Sequence, residues 1–209
     1  MKGKQLEQFA SQHLLPSLPN FSVRGKLLYQ VPVGNILRAF LFDSSGFSSE
    51  AFYPQVFVQC LYIRSEHLTL TPGKRFLGNW KFEPTHEGQL GQRLLNQMHE
   101  IGMPFLRAHN TLENIVRQTK ANPAVKVNPH VRQQLAYSLV LLERKDEALD
   151  ELDKTLGMLN RTPESPTWER VLFAEIASLK ERLMRNPREA VETLHTWTEQ
   201  TRANLNLPA

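Results

Sequence analysis

The sequence is poor in the residues on which covalent and metal chemistry draw. One cysteine, Cys60, among 209 residues excludes an internal disulfide and predicts a reducing compartment, so a cytoplasmic location is expected. Long apolar runs are missing as well. Stretches such as Val56-Phe57-Val58 and Leu139-Val140-Leu141-Leu142 fall far short of the roughly 18–20 residues that cross a bilayer, which predicts no membrane-spanning helix. The basic start Met1-Lys2-Gly3-Lys4 runs into Gln5-Leu6-Glu7-Gln8 rather than an apolar core and predicts no secretory leader.

Catalytic signatures are missing too. His86-Glu87 and His99-Glu100 open like zinc-protease helices, but Leu90 and Met103 stand where the second histidine would share the helix face. Gly73-Lys74-Arg75 lacks the upstream glycine and the following Ser or Thr of a phosphate loop. Ser44-Ser45-Gly46 reads as a turn rather than a nucleophile elbow. Two distant carboxylates could converge in the fold, yet nothing nominates a pair. The expectation is therefore a non-enzyme with no catalytic residue, cofactor or metal.

What is present is ordinary globular material: 41% apolar and 22% charged residues, with 13 prolines and 10 glycines. The net charge of +4 is uneven, since residues 1–125 carry 13 Lys/Arg against 8 Asp/Glu and residues 126–209 carry 12 against 13. The basic residues of the first part are scattered, and core packing accounts for the aromatic residues between them, which argues against a nucleic-acid partner.

The hydrophobic period divides the chain. Residues 5–15 read as a short amphipathic helix stopped by Pro16 and Pro19. Residues 23–31, 36–42, 52–63 and 68–70 are rich in aromatic and β-branched residues. Gly34-Asn35, 43–46 and 71–74 punctuate them, which predicts antiparallel hairpins. The 52–63 strand is apolar on both faces and should lie centrally, with Cys60 a buried small hydrophobe.

From residue 87 the spacing turns helical and continues through 105–119. Asn128-Pro129 and Asn186-Pro187 mark helix starts, with Glu189 at the third position completing a reciprocal cap. The span 131–159 reads as an αα-hairpin with a polar break at Arg144-Lys145. One longer helix follows at 167–183, with Val171 on its apolar side, and a last helix runs over 187–205. The fold class is α+β: an N-terminal antiparallel sheet with flanking helices over 1–122, then an all-α, repeat-like bundle over 128–209.

Two surfaces stand out as candidates for a partner. Glu143, Asp146, Glu147, Asp150, Glu151 and Asp153 fall within eleven residues, with Asp146, Asp150 and Asp153 stacked opposite the apolar set of their helix. The peptide 72–80 combines turn residues with Lys74, Arg75 and Trp80, the composition of a functional rim loop, although a hairpin closing the sheet accounts for it equally.

The stretches Leu27-Leu28-Tyr29-Gln30-Val31-Pro32, Leu37-Arg38-Ala39-Phe40-Leu41-Phe42-Asp43, Val56-Phe57-Val58-Gln59-Cys60-Leu61-Tyr62 and Gly73-Lys74-Arg75-Phe76-Leu77-Gly78 resemble small bacterial immunity proteins of contact-dependent and type VI secretion systems. The resemblance covers about residues 15–82. It implies a cytoplasmic protein whose partner is a cognate toxin, with a nuclease effector among the candidates. The hairpin at 131–159, with Ala136-Tyr137 and Ala148, resembles a tetratricopeptide unit and implies a helical protein–protein adaptor as the alternative. A basic chain cannot mimic nucleic acid over its whole surface, so an inhibitor of this kind would act by covering a toxin with a specific patch. An enzyme or a nucleic-acid binder remains a third class, to be separated by a deep pocket with converging ionisable groups.

Overall fold

The computed structural model describes residues 3–45, 48, 50–159, 162 and 164–208. The chain is α+β, with a five-stranded antiparallel sheet ahead of a run of helices. It divides into two compact units, residues 1–59 with 68–108, and residues 60–67 with 109–209. The division at 108/109 differs from the expected boundary at 122–128. The helix before that linker buries Ile115, Val116 and Thr119 and packs on the helix after it, so both belong to the second unit.

The first unit opens with α1 (Gly3–His13), which buries Leu6, Phe9 and Ala10. The expected strand at 23–31 is a hairpin of β1 (Phe21–Arg24) and β2 (Leu27–Gln30), with Arg24 opposite Leu27 across the Gly25-Lys26 turn. The Gly25 N–H donates to Glu7 Oε1 at 2.5 Å, which fixes this turn to α1. Next come β3 (Ile36–Ser44) and β4 (Phe52–Cys60), and the sheet order is β1-β2-β3-β4-β5. Asp43 and Ser44 close β3 rather than forming the start of the expected 43–46 turn, and Gly46 lies outside the described residues. Apart from Tyr53, every residue of β4 is buried, which is what apolar side chains on both faces require.

Strand β5 is Gly73–Arg75, with Lys74 opposite Val56 and Arg75 opposite Gln55. The expected strand at 68–70 is absent, because the Thr69 N–H donates to Gln59 Oε1 at 3.0 Å instead of to a neighbouring strand. The helical run from residue 87 is broken as well, into α2 (Glu87–Gln97), a π-turn (Met98–Gly102) and α3 (Met103–Arg107). Pro104 has no N–H to continue the α-helical ladder, and the chain passes it by widening one turn.

The second unit is built from α4 (Leu112–Ala121), α5 (Pro129–Leu141), α6 (Lys145–Gly157), α7 (Thr167–Arg185) and α8 (Pro187–Asn204). Thr111 Oγ1 caps α4 by accepting from Asn114 N–H at 3.2 Å, and Asn128 Oδ1 caps α5 by accepting from His130 N–H at 2.9 Å. Asn186 Oδ1 accepts from Arg188 N–H at 3.2 Å, but the reciprocal half of that cap does not form. The Asn186 N–H already donates to the Arg182 carbonyl, and Glu189 turns to Arg182 and Arg185. Helix α5 ends in a Schellman turn, in which Arg144 N–H donates to Leu139 O and Glu143 N–H to Val140 O, with Glu143 at φ +57°. Each helix packs on its successor, and α5 packs on α8 as well, so the set closes into a bundle rather than an open solenoid.

Residues 61–63 follow β4 without a break in apolar pattern, which is why sequence periodicity carries the strand to 63. The sheet nevertheless ends at Cys60, and Leu61 and Tyr62 are buried in the helical unit. Tyr62 Oη lies 2.6 Å from Ser138 Oγ on α5. Arg64 pairs with Glu175 on α7 and sits 5.1 Å above the Trp197 ring on α8. Thr201 Oγ1 donates to Ile63 O and accepts from Ser65 N–H, each at 3.3 Å.

Candidate partner-binding surface

The two candidate surfaces fall in different units. On α6 the apolar side chains Ala148, Leu152 and Leu156 face the bundle, which leaves Asp146, Glu147, Asp150 and Asp153 exposed on the outer side. Four of the six carboxylates there are held by cations. Glu147 accepts from Lys120 at 2.9 Å and from Arg144, and these two bonds hold its carboxyl below the usual range. Glu151 pairs with Arg132 at 2.7 Å in a mostly buried position, and with Lys154 at 3.1 Å. Asp150 takes Lys154 at 2.5 Å, and its hydrogen bond, with that of Glu151, raises the lysine. Asp153 pairs with Lys180. Among the described residues only Glu143 and Asp146 of this set form no ion pair. The strip is thus largely neutralised, and exposed pairs of this kind contribute about 0–1 kcal/mol each to stability.

In the first unit the cations rest on rings. Lys74 Nζ lies 5.9 Å from the Phe105 centroid, Arg75 Cζ lies 4.8 Å from Tyr53, and Arg93 Cζ lies 4.0 Å from Trp80. Trp80 is an inward residue rather than a rim residue, at 2% exposure, with its ring 6.4 Å from that of Phe52. Lys74 and Arg75 are exposed on β5, as a rim position requires.

A third surface escaped the sequence reading. At the start of α7, Trp168 is 49% exposed and Val171 51%, and Val127, just before α5, is 79% exposed. The Trp168 ring lies 5.2 Å from that of His130 in the first turn of α5. Val171 is therefore on the outer side of α7, not with Leu172, Ile176, Leu179 and Leu183, which face the core. Trp168, four residues before Leu172, continues the apolar stripe beyond the bundle it packs on. That overrun at a helix's first turn is the signal by which the patch could have been found.

The ionisable groups most displaced from their ordinary values are core groups. Burial pushes the Cys60 thiol up to about 12, against the opposing effect of its hydrogen bond to Tyr62. Burial raises Tyr62 as well, with Cys60 adding to the shift and Ser138 opposing it. The unfolded chain releases these protons first. Stability that is complete below pH 9 is accordingly lost as the pH climbs from about 9 toward 12, at up to about 1.4 kcal/mol per pH unit for each such group. Urea titrations at pH 7, 9 and 10.5 should show this fall, and Cys60→Ala should remove the part that begins near pH 9. A midpoint unchanged between pH 9 and 10.5 would contradict the assignment.

Among the described residues no group of three or more His, Cys, Asp or Glu is placed to hold a metal ion, and no helix is long and apolar enough to cross a membrane. His13 and His86 instead meet Glu87 and Glu83, at 3.4 and 3.3 Å. No family model matches the chain, and neither a curated protein nor a solved structure does.

Proposed function

We propose that the chain is an immunity protein that acts in the cytoplasm by binding a cognate bacterial toxin and covering the surface the toxin works with. A type VI or contact-dependent nuclease effector is the first partner to test. The observation that carries the reading is the exposed apolar surface of Trp168 and Val171 at the start of α7, beside the His130 ring. Water-exposed indoles are costly to leave uncovered, and tryptophan is enriched among the few residues that dominate protein–protein binding energy. The paired carboxylates of α6 supply little charge to such a contact, and Glu143 lies past the far end of α5 from His130, beside Leu183 near the end of α7.

The test is co-expression with any toxin-like protein whose gene neighbours that of this chain. Protection from toxicity and a stable complex are expected. Trp168→Ala should weaken that complex about 30-fold or more, the equivalent of 2 kcal/mol, without lowering the melting temperature. Failure to protect or to bind would refute the proposal, and full affinity in Trp168→Ala would remove this patch from the interface.

One observation favours the alternative, a helical adaptor that takes a peptide. A cleft of about 620 Å³ opens at one end of the bundle, floored by Val140, Leu183 and Val191 and edged by Glu143, Arg188 and Glu192. An adaptor would bind a segment there and be indifferent to Trp168.

A further inference from the structure

The excess positive charge of the protein belongs to one unit. Residues 1–59 and 68–108 carry ten Lys/Arg against six Asp/Glu, while residues 60–67 and 109–209 carry fifteen of each. In the second unit many of the cations pair with carboxylates, as with Lys120, Arg132, Lys154 and Lys180. In the first, Lys81 and Arg93 have no carboxylate partner among the described residues, and both line one cleft of about 460 Å³ with Asn79, His86, Gln89 and Leu90. Glu83, the acid in the same wall, lies 3.3 Å from His86 Nδ1, a nitrogen that is also 3.0 Å from Thr85 Oγ1.

Arg93 is fixed before any ligand arrives. Its guanidinium lies 4.0 Å from the Trp80 ring centroid, and its Nη2 donates to the Asn79 carbonyl at 2.5 Å. Gly78, just before Asn79, has a φ of +121° that suits glycine alone, and a Cβ there would meet Arg93 Nη2 and Trp80 Nε1 at the ordinary contact distances of 3.4 and 3.7 Å. Trp80 Nε1 is itself buried, with no hydrogen-bond partner among the described residues. A held guanidinium, an ammonium and side-chain amides around a cleft of small-molecule size are the groups that recognise an oxyanion of two or more charges.

From this we infer that the cleft between the 79–86 segment and α2 binds a small phosphate-bearing molecule, with Arg93 and Lys81 meeting the phosphate oxygens. The cleft is larger than a phosphate group requires, so the amides of Asn79 and Gln89 and the side chain of Leu90 are left to take the rest of the ligand. The site does not depend on the toxin-binding proposal, whose residues lie in the other unit.

Isothermal titration of the full chain with inorganic pyrophosphate at low salt tests the site. Saturable binding at one site is expected, and Arg93→Gln and Lys81→Gln should each weaken it at least tenfold. Lys26→Gln, which removes a cation from the β1–β2 turn, should leave it unchanged. Lys81 is exposed, so its substitution reports on binding even if Arg93→Gln disturbs the fold. The absence of pyrophosphate binding, retention of affinity in Lys81→Gln, or an equal loss in Lys26→Gln, which would mark diffuse surface charge, would each overturn the inference.

Discussion

Replacing Tyr62 by alanine should destabilise the helical unit by about 3–5 kcal/mol, the range for removing a large ring from a closed core. Tyr62 has no exposed surface, and its hydroxyl is part of a directed chain. Ser138 Oγ donates its one proton to the Gln134 carbonyl at 2.6 Å, so the Tyr62 hydroxyl must be the donor in the 2.6 Å bond to Ser138. Tyr62→Phe keeps the ring and loses this bond together with the hydroxyl's hydrogen bond with Cys60, and should cost about 1–3 kcal/mol. Urea unfolding followed by helical circular dichroism separates the two variants. An alanine variant within 1 kcal/mol of the parent would show that residues 60–67 are not integral to that unit.

Gly102→Ala is the second large effect. A Cβ there would lie 2.3 Å from Phe40 Cε1 and 2.8 Å from Phe40 Cζ, and Phe40 is wholly buried in β3. The ring cannot withdraw, because it packs 5.7 Å from Phe21 and 6.0 Å from Phe76. Overpacking of a closed core costs about 1–3 kcal/mol, and this contact calls for the upper end. Combining Gly102→Ala with Phe40→Leu should restore part of the loss, giving a coupling energy of at least about 0.5 kcal/mol in a double-mutant cycle. Strict additivity would refute the close approach.

Local chemistry was readable where it is self-contained. Asn128-Pro129 and Asn186-Pro187 mark the starts of α5 and α8 because a cap needs only its own next residues. The two-faced apolar pattern of β4 was readable for the same reason. What could not be read depends on distant partners. The α6 carboxylates looked like a free acidic strip, but Lys120 and Lys180 reach them from 27 residues away and Arg132 from 19. Residues 61 and 62 look like more strand because burial among helices and burial in a sheet select the same side chains. Trp80 has the composition of a rim residue and the environment of a core one, a difference set by the arrival of Arg93 from α2.

The loan of residues 60–67 to the second unit has a consequence for biosynthesis. Leu61 and Tyr62 leave the ribosome before the helices that will enclose them exist. Ser138 follows Tyr62 by 76 positions and Thr201 follows Ile63 by 138, delays of roughly 4–15 s and 7–28 s at ordinary translation rates. Throughout that interval the nascent chain carries an apolar peptide without its enclosure, a transient ligand for chaperones until α5 and α8 have been made.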